Sequence, residues 1–267
     1  MLLEEIKLSK QTLEKTTQKI TQGLKTHIKQ SHSQGFIVGL SGGIDSAVTA
    51  TLISKAKINQ KALILPEENT PDGDVEDAIN LAEKLRIKYH VIDISQPLNS
   101  VSEAFPWGDF PKKTPNTWGN VKPRIRMTFF YLAANLGDYL VAGTGNKTEL
   151  LLGYFTKHGD GASDILPIGE LYKMRVFQLA RFLKLDQCFL DKTPTAGLWP
   201  KQTDEKELGL DYETLDSLLY LLTEQWCTPQ EAADKLGLDK ADARGIARKI
   251  QLNRHKLEPT HIVPVFD

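Results

Sequence analysis

Short apolar runs along the chain alternate with longer stretches in which apolar residues recur every three or four positions. The runs are Phe36 to Leu40, Lys61-Ala-Leu-Ile-Leu65, Tyr89-His-Val-Ile-Asp-Ile94 and Tyr139-Leu-Val-Ala-Gly143. The first has the composition of a strand buried on both faces. Between the runs, helical spacing covers Ile44 to Ala56, Val75 to Leu85 (Ala78, Ile79, Ala82 and Leu85 on one face), and Arg124 to Leu136. Strands alternating with helices of this length predict an α/β fold, a doubly wound and mostly parallel sheet with flanking helices. Residues 1–30 set Leu and Ile among Lys, Gln, Thr and Glu, which predicts one amphipathic helix leading into the first strand. Beyond the sheet, helices are predicted at Lys173 to Leu183 and Tyr212 to Gln225. Another follows Thr228-Pro-Gln-Glu231, a capping box with Pro at the first helical position, and a last one spans Lys240 to Asn253. The expectation is a single domain, 1–267, with an amino-terminal helix (1–30), an α/β core (31–190), and a loop and helical extension (191–267).

Three segments break the rhythm. Phe105 to Lys122 contains Pro106, Pro111, Pro115, Gly108, Gly119 and two tryptophans, a long connection of the kind that forms lids or binding loops. Gly153 to Pro167 is dense in Gly and Asp, and Lys192 to Leu208 is a Pro/Gly loop with a charged end. Ligands of open α/β sheets sit beyond the carboxyl ends of the strands. The loops after Leu40 and Gly143 should therefore face one another across a site.

Composition narrows the partners. The 267 residues are 40% apolar and 25% charged with a net charge of −1, which gives no whole-chain electrostatic case for nucleic acid or an acidic membrane surface. Cys188 and Cys227 are too few for a disulfide framework or a zinc site. No apolar run approaches a membrane span, and Met-Leu-Leu-Glu-Glu-Ile-Lys lacks the apolar core of a signal peptide. A cytoplasmic location without membrane or nucleic-acid partners is the expectation.

The candidate chemistry begins at Gly39-Leu-Ser-Gly-Gly-Ile-Asp-Ser46. Strand, glycine turn, helix is the arrangement that aims backbone N–H groups and the positive end of a helix dipole at an anion. Ser41 and Ser46 add donors. Asp45 places a carboxylate where bare phosphate would be repelled, which makes sense with a metal ion between them. The string is neither a Walker A loop nor a G-x-G-x-x-G fingerprint. It resembles the SGG-x-DS pyrophosphate loop of the N-type ATP pyrophosphatases, which split ATP into AMP and pyrophosphate; alone it leaves several substrates open.

Further segments carry a closer resemblance, over residues 36 to 267, to ammonia-dependent NAD synthetases. They are Gly119-Asn-Val-Lys-Pro-Arg-Ile-Arg-Met127, the run Gly143-Thr-Gly-Asn-Lys-Thr-Glu-Leu-Leu-Leu-Gly-Tyr-Phe-Thr-Lys-His-Gly-Asp160, Lys192-Thr-Pro-Thr-Ala-Gly-Leu-Trp199, Gln202-Thr-Asp-Glu-Lys-Glu-Leu-Gly209 and Asn253-Arg-His-Lys256. Pro123 departs from the usual Ala, and Ala162-Ser163 from the usual Gly-Ala. The resemblance implies that the nicotinate carboxylate of deamido-NAD attacks the α-phosphate of ATP, releasing pyrophosphate, and that ammonia then converts the adenylate to NAD and AMP. It implies ATP binding by Gly39, Leu40, Ser41, Gly42, Gly43, Ile44, Asp45, Ser46, Thr144, Lys173 and Thr195. Magnesium would be held by Asp45 and Glu149, and deamido-NAD by Arg124, Lys157, Asp164, His255 and Lys256. Asp45, Asp160 and Lys173 would serve the chemistry, Asp160 by steering or deprotonating ammonium. It also implies a homodimer, with His255-Lys256 completing a site partly made by the other subunit. The alternatives are another adenylating enzyme of this fold, GMP synthetase-like or tRNA-modifying, and a nucleotide sensor without catalysis. A tRNA-modifying enzyme usually needs a catalytic Cys or a basic RNA surface, and a pure binder has less need of two metal carboxylates.

Overall fold

Among the described residues four short strands, β1 (Phe36–Gly39), β2 (Gln60–Ile64), β3 (Lys88–Val91) and β4 (Leu140–Ala142), lie parallel in the order β3-β2-β1-β4. Phe36 stands opposite Gln60 on one side and Leu140 on the other. The chain steps outward from β1 to β2 and β3, then returns to the far side of β1 as β4. That reversal places a topological switch point between β1 and β4, where a crevice opens beyond their carboxyl ends. The computed structural model describes residues 2–106, 115–195, 197–199 and 203–265.

Both faces of the sheet are covered, which is why β1 reads as a continuous apolar run. Phe36 and Val38 face a core shared with α1 (Lys10–Ser31), α2 (Ile44–Lys55), α3 (Asp72–Lys84) and α8 (Lys173–Phe182). Ile37 points the other way, into a core with Leu98 of α4 (Ser95–Ala104) and Met127 and Ala134 of α6 (Val121–Gly137). Alternation along an extended strand sends neighbours to opposite layers. Gly39 lets α6 come close: a Cβ there would stand 2.5 Å from Phe130 Cζ.

A second core lies among the later helices. α7 (Lys147–Leu152) and α10 (Asp204–Leu208) contribute Leu152 and Leu208 to it, whereas α9 (Gln187–Asp191) buries Phe189 in the first core. α11 (Tyr212–Thr223), α12 (Pro229–Leu236) and α13 (Lys240–Asn253) pack Leu215, Leu218, Leu219, Ala232 and Ala243 around Ile6. The Thr228–Glu231 capping box is present at the start of α12.

Several boundaries differ from the sequence reading. The amino terminus is not one helix: Glu4–Ile6 is a single 3-10 turn, and α1 begins only at Lys10, where the Ser9 hydroxyl accepts the Thr12 N–H. Burial of Ile6 in the second core and the Ser9 cap override the helical periodicity there. α4, α9 and α10 have no counterpart in the reading; the latter two span little more than one turn. Within Phe105 to Lys122, α5 (Pro115–Gly119) and the start of α6 are helical, while residues 107–114 lie outside the described residues. Pro115 misled because it opens α5, where a missing N–H costs no bond. Among the described residues no helix is long and apolar enough to cross a membrane.

Because α2 is buried nearly all round between sheet and helices, it tolerates cavities poorly. Leu52→Ala, at a fully buried position, should cost about 2–5 kcal/mol of unfolding free energy in urea titrations; a loss below about 1 kcal/mol would contradict this packing.

Candidate active site

Backbone pairing continues one residue past β1, with the Leu40 N–H donated to Leu63 O at 3.0 Å, and the chain then turns through Ser41-Gly42-Gly43. Gly42 has φ of +76°, and a Cβ there would lie 2.3 Å from the Asp74 carbonyl oxygen, so the turn admits only glycine. Gly43 is the N-cap of α2 and supplies no side chain to its first-turn N–H groups. The Ser46 hydroxyl donates to Gly43 O (2.9 Å) and receives the Ser41 N–H (3.3 Å), bracing the turn from inside. Gly39 ends β1, and Leu40 and Ile44 are buried on either side of the turn in sequence. A helix N-terminus that its own cap leaves unsatisfied, at the switch point of a parallel sheet, is an anion-receiving device.

Three side chains converge beside it. Asp45 stands in the first turn of α2, Glu149 in α7 and Lys173 at the first position of α8. Asn146, fully buried, caps α7: its Oδ1 receives the Glu149 N–H (3.0 Å), and its own N–H is donated to Glu149 Oε2 (3.1 Å). That reciprocal box leaves Glu149 Oε1 facing Lys173 Nζ at 4.0 Å. The Asn146 amide also donates to Asp45 Oδ1 at 3.1 Å, while Lys173 Nζ donates to Asp45 Oδ2. The loops after β1 and β4 therefore meet, as expected. Thr144 lies half-buried in the second of them.

The charges shape one another. Burial works against a charge on Lys173, but Asp45 and then Glu149 outweigh it and push its pKa up. Loss of water, then repulsion from Asp45, push the Glu149 carboxyl up to about 8, with Lys173 pulling the other way. When both are ionised, two carboxylates share one ammonium and make a site of hard oxygen donors with net negative charge. That donor set fits a magnesium ion bound by one or two carboxylates and completed by substrate oxygens. Among the described residues no group of three or more His, Cys, Asp or Glu is placed to hold a metal by itself.

A buried frame holds Lys173. α8 begins after Tyr172, which cannot cap it; Asp216 of α11 supplies the cap instead. Its Oδ2 receives the Met174 N–H at 2.7 Å and its Oδ1 the Thr148 hydroxyl at 2.5 Å, while Thr148 Oγ1 receives the Lys173 N–H at 2.9 Å. Asp204, nearly fully buried, accepts from Tyr212 (2.8 Å) and Tyr154 (3.2 Å). The sequence reading missed Asn146, Asp204 and Asp216 as site residues. Asn146 and Asp204 lie inside segments that carried the resemblance, but nothing in their spacing separates a positioning residue from an ordinary polar one.

A cationic track leads away from this centre. Arg124 Nη2 donates to Lys157 O (3.2 Å), Lys157 Nζ to His255 O (2.8 Å), and Lys256 Nζ to Gly153 O (2.7 Å) and Phe155 O (3.2 Å). Asp160 receives the Thr156 N–H at 2.9 Å in the turn between them. Two expected residues stand apart. Asp164 lies beside β4, accepting from Val141 N–H (2.7 Å) and Tyr131 (3.3 Å). Thr195 is exposed and its hydroxyl takes the Gly197 N–H (3.1 Å).

Near the ends of β2 and β3 a cavity of about 210 Å³ is lined by Glu67, Ser95, Leu98, Trp118, Lys122 and Trp199, among others. Glu67 and Lys122 form a buried ion pair there at 2.7 Å. Lys122 and both tryptophans sit in segments quoted above; their convergence has no sequence signal.

Fold and site together define a doubly wound α/β protein with an anion-receiving glycine turn at its switch point, faced by two carboxylates and a lysine. The family model described as NAD synthase matches residues 16–260, and the chain belongs to that family. It is 42% identical over 257 residues to the NH(3)-dependent NAD(+) synthetase of Archaeoglobus fulgidus, covering 95% of this chain and 98% of the relative. With that of Methanopyrus kandleri it shares 46% over 224 residues, 82% of this chain and 78% of the other. Among solved structures, an NMN synthetase from Francisella tularensis superposes with a TM-score of 0.82 at 34% identity, covering 97% of this chain and all of that one. An NH3-dependent NAD synthetase from Campylobacter jejuni, in complex with nitrate, gives 0.78 at 32%, covering 94% and 99%.

Burial pushes the Asp216 carboxyl up to about 6, whereas an unfolded aspartate loses its proton near pH of about 4. Between those values the folded protein binds one proton more than the unfolded chain. This residue's contribution to stability therefore falls as pH rises through the window, by about 3 kcal/mol. Asp216→Asn removes that loss, so its stability relative to the native protein should rise by this order from pH ~4 to pH ~7. Urea unfolding at both pH values checks it; a pH-independent difference would contradict the buried, ionised carboxylate.

Proposed function

We propose that the protein is an ammonia-dependent NAD synthetase of the cytoplasm, which amidates deamido-NAD at the expense of ATP, yielding NAD, AMP and pyrophosphate. The observation that carries this reading is the convergence of Asp45, Glu149 and Lys173 on the glycine turn, in a chain of the NAD synthase family. The turn receives the β- and γ-phosphates, and Lys173 lies where negative charge builds on the phosphates as pyrophosphate departs. Magnesium, held by Asp45 and Glu149, would neutralise the polyphosphate so that an anionic carboxylate can approach it. Deamido-NAD lies along Arg124, Lys157, His255 and Lys256, whose charge suits two bridging phosphates. Asp160 attracts ammonium toward the adenylate. No enzyme nucleophile is required, since positioning and charge neutralisation do the work.

A second reading has support from one neighbour: the Francisella tularensis protein is an NMN synthetase, so a mononucleotide substrate is the direct comparison. Deamido-NAD carries two phosphates to the mononucleotide's one, and several basic side chains in one track suit the dinucleotide better. Purified protein with ATP, magnesium and ammonium should turn over deamido-NAD to equal amounts of NAD, AMP and pyrophosphate, with kcat/KM at least about tenfold above that for nicotinate mononucleotide. ADP formation sinks the reading, and preference for the mononucleotide moves it to the neighbour's activity. Asp45→Asn should lose pyrophosphate release by about a hundredfold or more while remaining folded.

A homodimer is part of the proposal. Leu132 and Leu136 of α6 are 54% and 82% exposed, and Leu252, Ile262, Val263 and Val265 are likewise exposed near the carboxyl terminus. Asp164, apart from the cationic track, sits beside Tyr131 on this same α6. A partner covering α6 would bury these leucines and bring Asp164 to the other subunit's track. Sedimentation should give a dimer for the native protein and a shift toward monomer for Leu136→Glu; a native monomer at micromolar concentration refutes this part.

A further inference from the structure

The glycine turn is also held from outside, by a lysine the chemistry above does not use. Lys192 directly follows α9 and opens the segment that carries Thr195. Its Nζ donates to Gly42 O at 2.9 Å, Asp74 Oδ1 at 2.6 Å and Asp77 Oδ2 at 2.7 Å. The three acceptors use all three donors of the ammonium. Asp74 and Asp77 are three residues apart on α3 and so share a face. Burial disfavours the charge on Lys192, but these two acids outweigh it and push its pKa up.

A trans peptide points its C=O and the following N–H in opposite directions. Glycine at positive φ does not by itself fix which way the next peptide faces, because it lacks the Cβ that would forbid the flipped alternative. Drawing the Gly42 carbonyl toward α3 therefore sends the Gly43 N–H to the opposite side, where it meets Ser41 Oγ at 3.3 Å. We infer that Lys192 is a positioning residue for the nucleotide: it locks the Gly42–Gly43 peptide so that the turn presents N–H groups, not a carbonyl, to the phosphates. It also couples the turn to the segment bearing Thr195. This rests on the assignment of ATP to the turn.

The competing role is a plain strut between α9 and α3. Two variants separate them. Lys192→Met removes the bond to Gly42. The double variant Asp74→Asn, Asp77→Asn discharges the strut but leaves the lysine and acceptors that hold it near Gly42. Lys192→Met should raise the ATP dissociation constant, read by calorimetry, and the KM for ATP by about tenfold, with the KM for deamido-NAD within about twofold. The double variant should keep ATP affinity within about twofold of the native protein. The inference is overturned if Lys192→Met binds ATP like the native protein, if both KM values rise alike, or if the double variant matches it. Native protein that binds no ATP would instead overturn the synthetase reading itself.

Discussion

The site depends on the ion pair between Lys173 and Asp45. One partner opens α8 and the other lies in the first turn of α2, so the bond ties together two helices that also share the main apolar core. A lysine side chain only 3% exposed is tolerable because acids surround it. Removing one partner of such a pair costs about 3–5 kcal/mol, since the other is left charged and buried. The neighbouring structure follows from that constraint. Asn146 turns Glu149 toward the lysine, and Asp216 with Thr148 fixes the backbone from which the lysine projects. The aromatic ring of Tyr212 lies 5.5 Å beneath its ammonium.

The fold supplies this cluster through topology. Reversal of strand order at β1 brings the loops after β1 and β4 side by side, although 101 residues separate Asp45 from Asn146. The second core then does what the sheet cannot. By burying Tyr212 and Leu215 it presses α11 against the starts of α7 and α8, so that Asp216 caps a helix 42 residues away. The amino-terminal turn joins in: Arg175 of α8 donates to Glu5 O at 2.8 Å, anchoring the same helix from its outer side.

Legibility in the sequence follows the range of the forces. The sheet and its flanking helices were readable because continuous apolar runs and near-3.6-residue patterns record burial directly, and α13 matches its expected Lys240–Asn253 span. The glycine turn was readable because positive φ and close backbone approach leave glycine as the residue that fits. Asp45 and Glu149 were named within motifs and Lys173 from the family resemblance, and the structure brings them together. Asp204, Asp216, Lys192 and the Glu67–Lys122 pair were not named as site residues. Each gains its role from a partner 8 to 150 residues distant, and an aspartate bound for burial looks in sequence like any surface aspartate. Ser9 and Ile6 show the same limit at the amino terminus, where a local cap and a distant core overrode a helical pattern.

Charge around Lys173 also constrains how a polyphosphate enters. Asp45, Glu149 and Asp204 all act electrostatically on this single ammonium, and burial raises the carboxyls of Glu149 and Asp204 despite the lysine's pull. Formal charge at the centre is thus net negative when the carboxylates are ionised. An incoming triphosphate meets repulsion from these acids and attraction from the α2 dipole and the N–H groups of the turn. In the proposed reaction Asp45 and Glu149 would hold a divalent ion, which would supply the positive charge that offsets this repulsion. Fixed oxygen donors and a pre-aimed turn need no reorganisation when charge shifts onto the departing pyrophosphate, which is the condition under which electrostatic stabilisation is strongest.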